Sequence, residues 1–221
     1  MRRTPSRTAL AAAAVATAAS LVLVSGCGSD DDEASAAAPT GTPAASSAPT
    51  ATRGTGSTGS GVDVALHDAG GAEVGTVTLT PVDGAVRVEG RFHGLPSGSY
   101  HGFHIHQKPV CDPKAADGAF STAGPHFNPA GTAHGEHAGD LPPLLVDRDG
   151  TAQLTAETDR FTLDELRSGG VALIVHAQPD NLAHIPDRYR ASDAPSPGPD
   201  ERTDATGDAG DRIACGVLAK A

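Results

Sequence analysis

The most informative segment of the sequence lies near the middle of the chain and reads His101-Gly102-Phe103-His104-Ile105-His106-Gln107. Phe103 and Ile105 alternate with His104 and His106, which is the period of a β-strand. Residues two apart on a strand point to the same face. The stretch therefore predicts two core side chains on one face and two neighbouring imidazoles, the commonest metal ligands, on the other. For a single His-x-His pair, two exposed strand histidines are the simpler alternative.

Residues 61–221 carry the alternating pattern of antiparallel strands. Apolar side chains alternate with polar ones in runs that contain Val64, Val77 and Val88. Turn signals separate such runs at Gly70-Gly71, Asp83-Gly84 and Asp149-Gly150. Further strands are predicted at 144–146, 151–156, 171–176 and 213–218. The pattern by itself predicts one all-β domain, built as a sandwich or a barrel.

One helix and two long loops interrupt this pattern. Thr162 and Glu165 can form a capping box, and Gly169-Gly170 provides a stop, so a short helix is predicted between them. Segments 108–141 and 177–211 are polar and rich in Gly and Pro, and we expect both to be uninterrupted loops. Loops of this length on a rigid scaffold are usually functional.

The first 60 residues predict export and membrane attachment. Residues 1–26 have a basic start and an apolar run, 9–24, that suits a signal peptide better than a membrane span. The run ends in Leu23-Val24-Ser25-Gly26-Cys27, which resembles a bacterial lipobox with Cys27 as the lipidated residue. An ordinary signal peptide with a chance cysteine is the alternative. Residues 27–60, rich in Ala, Ser, Thr, Gly and Pro, predict a disordered tether that follows the lipidated cysteine.

Four further blocks accompany the central histidine pair. They read Gly124-Pro125-His126-Phe127-Asn128-Pro129, His134-Gly135-Glu136-His137-Ala138-Gly139-Asp140, Val175-His176 and Gly207-Asp208-Ala209-Gly210-Asp211-Arg212-Ile213-Ala214-Cys215-Gly216-Val217. In this order and with nearly this spacing, the five blocks resemble the copper/zinc superoxide dismutase family. The resemblance spans about residues 61–221 and implies an eight-stranded antiparallel Greek-key barrel with two long functional loops.

The resemblance also implies two metal sites. The copper ligands would be His104, His106, His126 and His176. His126 would bridge to zinc, whose other ligands would be His134, His137 and Asp140. The segment between His134 and His137 is about six residues shorter than in common family members, which puts the zinc site in doubt. The alternative is that His134 and His137 are solvated loop residues.

Other residues match supporting positions of the family. Asp180 would link copper and zinc ligands by hydrogen bonds, and Arg212 would flank the copper and, with His126, take part in catalysis. Cys111 and Cys215 would form the disulfide that ties the first loop to the last strand, with two free thiols as the alternative. His67, His93, His101 and His184 match no ligand position.

The charge balance bears on partners. The chain has 16 basic and 27 acidic side chains, and loss of the three arginines in residues 1–26 would leave 13 against 27, a net charge of −14. This balance argues against nucleic acid as a partner. Because Ala205 stands where the family often has lysine, steering of an anion would rest mainly on Arg212 and the copper.

The resemblance implies a membrane-anchored, extracytoplasmic enzyme. It would convert superoxide to dioxygen and hydrogen peroxide and so protect the cell exterior from oxidative damage. A copper-binding or copper-buffering lipoprotein on the same barrel, without enzymatic activity, is the alternative. The sequence leaves monomer and homodimer both open.

Overall fold

Nine β-strands are assigned in residues 60–221, the part of the chain that the computed structural model describes. They are Val62–Asp68 (β1), Glu73–Val82 (β2), Ala85–Phe92 (β3), Ser99–His101 (β4), Phe103–His106 (β5), Leu144–Val146 (β6), Ala152–Thr158 (β7), Val171–His176 (β8) and Arg212–Leu218 (β9). The four strands predicted with bounds, 144–146, 151–156, 171–176 and 213–218, are present within one or two residues as β6 to β9, and the runs that contain Val64, Val77 and Val88 form β1, β2 and β3. The predicted signal peptide, the lipidation of Cys27 and the tether concern residues 1–60, of which 1–59 lie outside the described range.

The strands form an antiparallel sheet that curls on itself. Seven of them follow the order β5-β8-β9-β1-β2-β3-β7, and β4 pairs separately with β6. β4 and β5 are two parts of one stretch, interrupted at Gly102, and β6 packs against β7, the end strand of the large sheet. The nine segments thus correspond to the eight predicted strands. Because β1 pairs with both β2 and β9, the connections are those of a Greek key rather than a simple meander.

The alternation predicted for the central stretch is confirmed. Phe103 and Ile105 are fully buried in the barrel core, whereas His104 and His106 face the other side of β5. β5 pairs with β8, and His176 is the last residue of β8. The barrel wall therefore supplies three imidazoles from two neighbouring strands.

The helices differ in part from the prediction. Helix α1, Leu163–Gly169, begins with the predicted capping box of Thr162 and Glu165. The two long loops are not uninterrupted, which corrects that prediction: Ser121–Ala123 is a 3₁₀ turn, and Glu201–Thr206 is a second helix, α2. α2 is too short to show an apolar period, although Asp200 caps its start by accepting from the Thr203 amide at 2.9 Å. Within residues 60–221, no helix is long and apolar enough to cross a membrane.

The first loop is tied to the last strand by a disulfide. Cys111 and Cys215, 104 residues apart in sequence, are bonded with their Cα atoms 5.7 Å apart. Phe120, Ala123 and Ile174 pack around Cys215 in a small apolar cluster beside the main core. A disulfide is typical of proteins outside the cytoplasm.

Candidate metal centre

Backbone pairing brings the first loop onto the histidine strand. His126 forms an isolated antiparallel bridge with His106, and Asp140 forms one with His104. All of these side chains are buried, with an exposed fraction of 9% or less. The loop residues are therefore positioned by hydrogen bonds to a rigid strand rather than by the loop alone.

Four buried imidazoles converge in a first cluster, the copper set. One ring nitrogen from each of His104, His106, His126 and His176 lies within 4.8 Å of the others. His106 Nδ1 donates to the Gly124 carbonyl at 2.8 Å, and His176 Nδ1 donates to the Gly210 carbonyl at 3.1 Å. Both rings are thereby turned so that their Nε2 atoms lie 3.3 Å apart and face the same space.

An orphaned nitrogen marks the same space. His104 Nε2 bonds to Asp180, and the other nitrogen of the ring, Nδ1, is buried without a hydrogen-bond partner. A buried polar atom without a partner is unfavourable unless something binds it. An all-imidazole donor set of this kind fits copper.

In the second cluster, the zinc set, four of the six distances between donor atoms are close to the edge of a tetrahedron around zinc. Asp140 Oδ1 lies 2.9 Å from His126 Nδ1 and 3.3 Å from the Nδ1 atoms of both His134 and His137. His137 Nδ1 is also 3.3 Å from His126 Nδ1. Four donors about 2.0 Å from a zinc ion would be roughly 3.3 Å from one another. The donor types and their spacing fit zinc, and His134 Nδ1 is itself buried and makes no hydrogen bond.

The short connection between His134 and His137 thus does not keep the zinc set apart. The amides of Gly135 and His137 donate to Asp140 Oδ2 at 2.7 and 3.1 Å, which turns Oδ1 toward the imidazoles. Gly135 has φ +87°, and a Cβ there would lie 2.8 Å from the Leu182 carbonyl oxygen. A side chain at position 135 would push the two loops apart.

Asp180 connects the two clusters. Its carboxylate bonds to His104 Nε2 and lies 2.8 Å from His134 Nε2, so it orients one ring of each set. Gly207 packs directly against this contact, because a Cβ there would lie 2.2 Å from both Asp180 and His134. Burial opposes the charged carboxylate, but the hydrogen bonds with His104 and His134 outweigh it and hold the pKa of Asp180 well below its usual range.

Burial keeps most of the copper set neutral. It lowers the pKa of His126 to about 4 and that of His176 to about 3, and it also lowers the pKa of His106 well below its usual value. Neutral imidazole is the state that binds a metal. Burial opposes the charged form of His134 too, but the negative charge of Asp140, 3.3 Å from its Nδ1, and the hydrogen bond with Asp180 prevail and raise its pKa to about 9. The two carboxylates thus favour a positive charge at the zinc set.

Arg212 stands beside the copper set in a cleft of the surface. Its guanidinium donates to the Phe120 carbonyl at 2.7 Å and to the Gly124 carbonyl at 2.6 Å. The Gly124 oxygen also accepts from His106, so one carbonyl holds both the arginine and a ring of the copper set. Asp68, Asp117 and Asp211 line the same cleft, and Arg212 is its one basic residue.

The remaining histidines lie away from the donor sets. His67, His93 and His184 are exposed. His101 is buried, and its ring nitrogens lie 2.8 and 3.0 Å from the carbonyls of His176 and Pro96, so it supports the end of β8.

Three residues near the donor sets, Arg160, Phe120 and Gly124, had no role predicted from the sequence. Phe120 and Gly124 contribute only their backbone carbonyl oxygens, which every residue has, so their residue types did not indicate a role.

Known proteins match both the sequence and the fold. A family model described as copper/zinc superoxide dismutase (SODC) matches residues 73–218. The Cu-Zn superoxide dismutase of Mycobacterium tuberculosis is 38% identical, over 72% of this chain and 75% of that one. Its Escherichia coli K12 counterpart is 37% identical, over 67% and 80%. The structure of Cu/Zn superoxide dismutase from Brucella abortus matches with a TM-score of 0.55 and 31% identity, over 72% of this chain and 99% of that one. A SOD-like protein from Bacillus subtilis matches with a TM-score of 0.53 and 29% identity, over the same shares.

The fold and the paired donor sets define a class of metal-binding Greek-key barrels in which a loop histidine joins two sites. Within that class, this chain belongs to the copper/zinc superoxide dismutase family.

Proposed function

We propose that this protein dismutates superoxide, with copper held by His104, His106, His126 and His176 and zinc held by His126, His134, His137 and Asp140. The observation that carries the proposal is the convergence of four buried imidazoles beside a fixed guanidinium in an open cleft. Bound copper would supply the one-electron redox chemistry. One superoxide is oxidised to dioxygen, and a second is reduced and takes two protons to give hydrogen peroxide.

Three residues attract the substrate, hold a proton and orient the metal ligands. Arg212, pinned by two carbonyls, attracts and orients a small anion at the mouth of the cleft. His126 Nδ1 faces the zinc set, so its Nε2 faces the copper set and is the atom at which the chain holds a proton during turnover. Asp180 fixes the rings of His104 and His134, so one ligand of each donor set keeps its orientation.

A dismutation assay on the copper-loaded protein tests the proposal. The wild type should be active, and His176→Ala should lose both tight copper binding and activity, because it removes one of four converging nitrogens. His184→Ala, an exposed histidine outside both sets, is the matched control and should change neither. A wild type that binds copper through all four histidines but shows no dismutation would instead support the copper-buffering alternative.

The location proposal rests on the N-terminal sequence and the disulfide. We propose that residues 1–26 are a signal peptide, that Cys27 is lipidated, and that residues 27–60 tether a domain of residues 61–221 outside the cytoplasm. The Cys111–Cys215 disulfide supports an extracytoplasmic location. The mature protein should partition into detergent, and Cys27→Ser should release it from the membrane. Unmodified wild-type protein in the soluble extracytoplasmic fraction would refute the anchor.

A further inference from the structure

The connection between His134 and His137 is held from outside by side chains. Only Gly135 and Glu136 separate the two histidines, so the segment has few backbone groups of its own to pair with. Arg160 Nη1 donates to the Gly135 carbonyl at 3.1 Å and to the His137 carbonyl at 3.2 Å. Thr132 Oγ1 donates to the carbonyl between them, that of Glu136, at 2.9 Å. Three successive carbonyls of the turn are therefore engaged.

Arg160 reaches this turn from a rigid part of the barrel. It lies two residues after the end of β7, and its amide is bonded to Thr158 Oγ1 at 3.2 Å. The next residue, Phe161, is buried in the core, and Thr162 then caps α1. The backbone of Arg160 is thus fixed on both sides, and its guanidinium connects the barrel to the turn by hydrogen bonds.

The bonded carbonyls belong to the same two residues whose amides orient the zinc set. The amides of Gly135 and His137 hold Asp140 Oδ2, while the carbonyls of the same two residues are held by Arg160. The direction of Asp140 Oδ1 and of the His137 ring therefore depends on a turn conformation that Arg160 fixes together with the backbone bond from the Asp140 amide to the His137 carbonyl at 3.1 Å. No other guanidinium in residues 60–221 bonds to this turn.

We propose that Arg160 is a positioning residue for the zinc site, compensating for the shortness of the turn between His134 and His137. The proposal rests on the zinc assignment made above. Hydrogen bonds that orient ligands from outside the donor set typically change metal affinity about 10- to 100-fold. Arg160 should have an effect of this size, although it touches none of the four donor atoms.

A competing effect has the opposite sign, which makes the proposal testable. A guanidinium near a divalent cation repels it, so simple electrostatics predicts tighter zinc binding when Arg160 is removed. Because Arg160 is exposed, solvent screens this repulsion. If orientation of the turn prevails, Arg160→Ala must weaken zinc binding.

The experiment measures zinc affinity of the metal-free protein by competition with a chromophoric chelator. Arg160→Ala should weaken zinc binding about 10- to 100-fold and lower the intensity of the visible bands of Co²⁺ bound in place of zinc. Arg160→Lys, which keeps the charge but has a shorter side chain without the planar guanidinium, should give an intermediate value. Arg148→Ala, which removes an exposed arginine from the turn between β6 and β7, controls for net charge and should match the wild type.

Two further measurements distinguish a purely structural role of Arg160 and a wrong zinc assignment from the proposed positioning role. The melting temperature of the metal-free protein should be little changed by Arg160→Ala, while that of the zinc-loaded protein falls. An equal fall in both states would mean a merely structural role and would overturn the proposal, as would unchanged or tighter zinc binding. His137→Ala serves as the site control. If it too keeps zinc, the zinc assignment itself is wrong, whereas loss of zinc in His137→Ala alone rejects only the role of Arg160.

Discussion

Replacing His137 by alanine should separate the zinc site from the copper site. His137 supplies one of the four donors of the zinc set, at 3.3 Å from both Asp140 Oδ1 and His126 Nδ1, so His137→Ala leaves only His126, His134 and Asp140. The copper set keeps all four of its imidazoles, because His126 faces it with the nitrogen opposite to the one near His137. The variant should therefore keep copper and much of its activity near neutral pH.

The size of the effect on stability follows from mass action. Zinc at about 100 times its dissociation constant stabilises a folded site by about 2.7 kcal/mol. For a domain of 150–250 residues, each kcal/mol shifts the melting temperature by roughly 2–4 °C. Zinc should thus raise the melting temperature of the wild type by about 5–11 °C, and most of that shift should disappear in His137→Ala.

Elemental analysis and calorimetry of copper-loaded protein, with and without added zinc, measure both quantities. His184→Ala provides the control, since it removes an exposed histidine outside the donor sets. Equal zinc content in the wild type and His137→Ala would show that the short turn does not build the proposed site. Almost no zinc in either protein would mean that the enzyme works with copper alone.

Two other predictions concern charge. Arg212→Glu should lower the second-order rate of dismutation by at least about tenfold and reverse its dependence on ionic strength, because Arg212 is the one basic residue of a cleft lined by aspartates. Stopped-flow rates at several salt concentrations measure this effect. An unchanged rate would mean that other groups attract the superoxide anion. The metal-free protein should be most stable near pH 6.5. Below it, His126 and His176, with pKa values lowered to about 4 and about 3, are protonated more readily in the unfolded chain, so stability is lost as pH falls. Above it, the stabilising charge of His134, with a pKa raised to about 9, is lost as pH rises. Melting temperatures between pH 4 and pH 9 would test this, and a steady rise or fall would contradict it.

Local sequence patterns predicted several elements of this protein. The alternation of Phe103 and Ile105 with two histidines sets the side-chain directions of β5, because the period of a strand leaves only two faces. The capping box of Thr162 and Glu165 likewise depends on contacts three residues apart. His126, His176 and Asp140 were identified in a different way, through the resemblance of the short blocks that contain them to the copper/zinc superoxide dismutase family.

Tertiary structure decided how those blocks meet. The short turn between His134 and His137 is held by Arg160, which is 23 residues from His137 along the chain and bonds to its carbonyl. The anchoring of Arg212 likewise depends on backbone oxygens of Phe120 and Gly124, about 90 positions away. Such contacts leave no periodic signal, because a carbonyl is common to every residue and its direction is set by the fold. The donor residues could thus be read from the chain, whereas their convergence follows from the packing of two loops on the barrel.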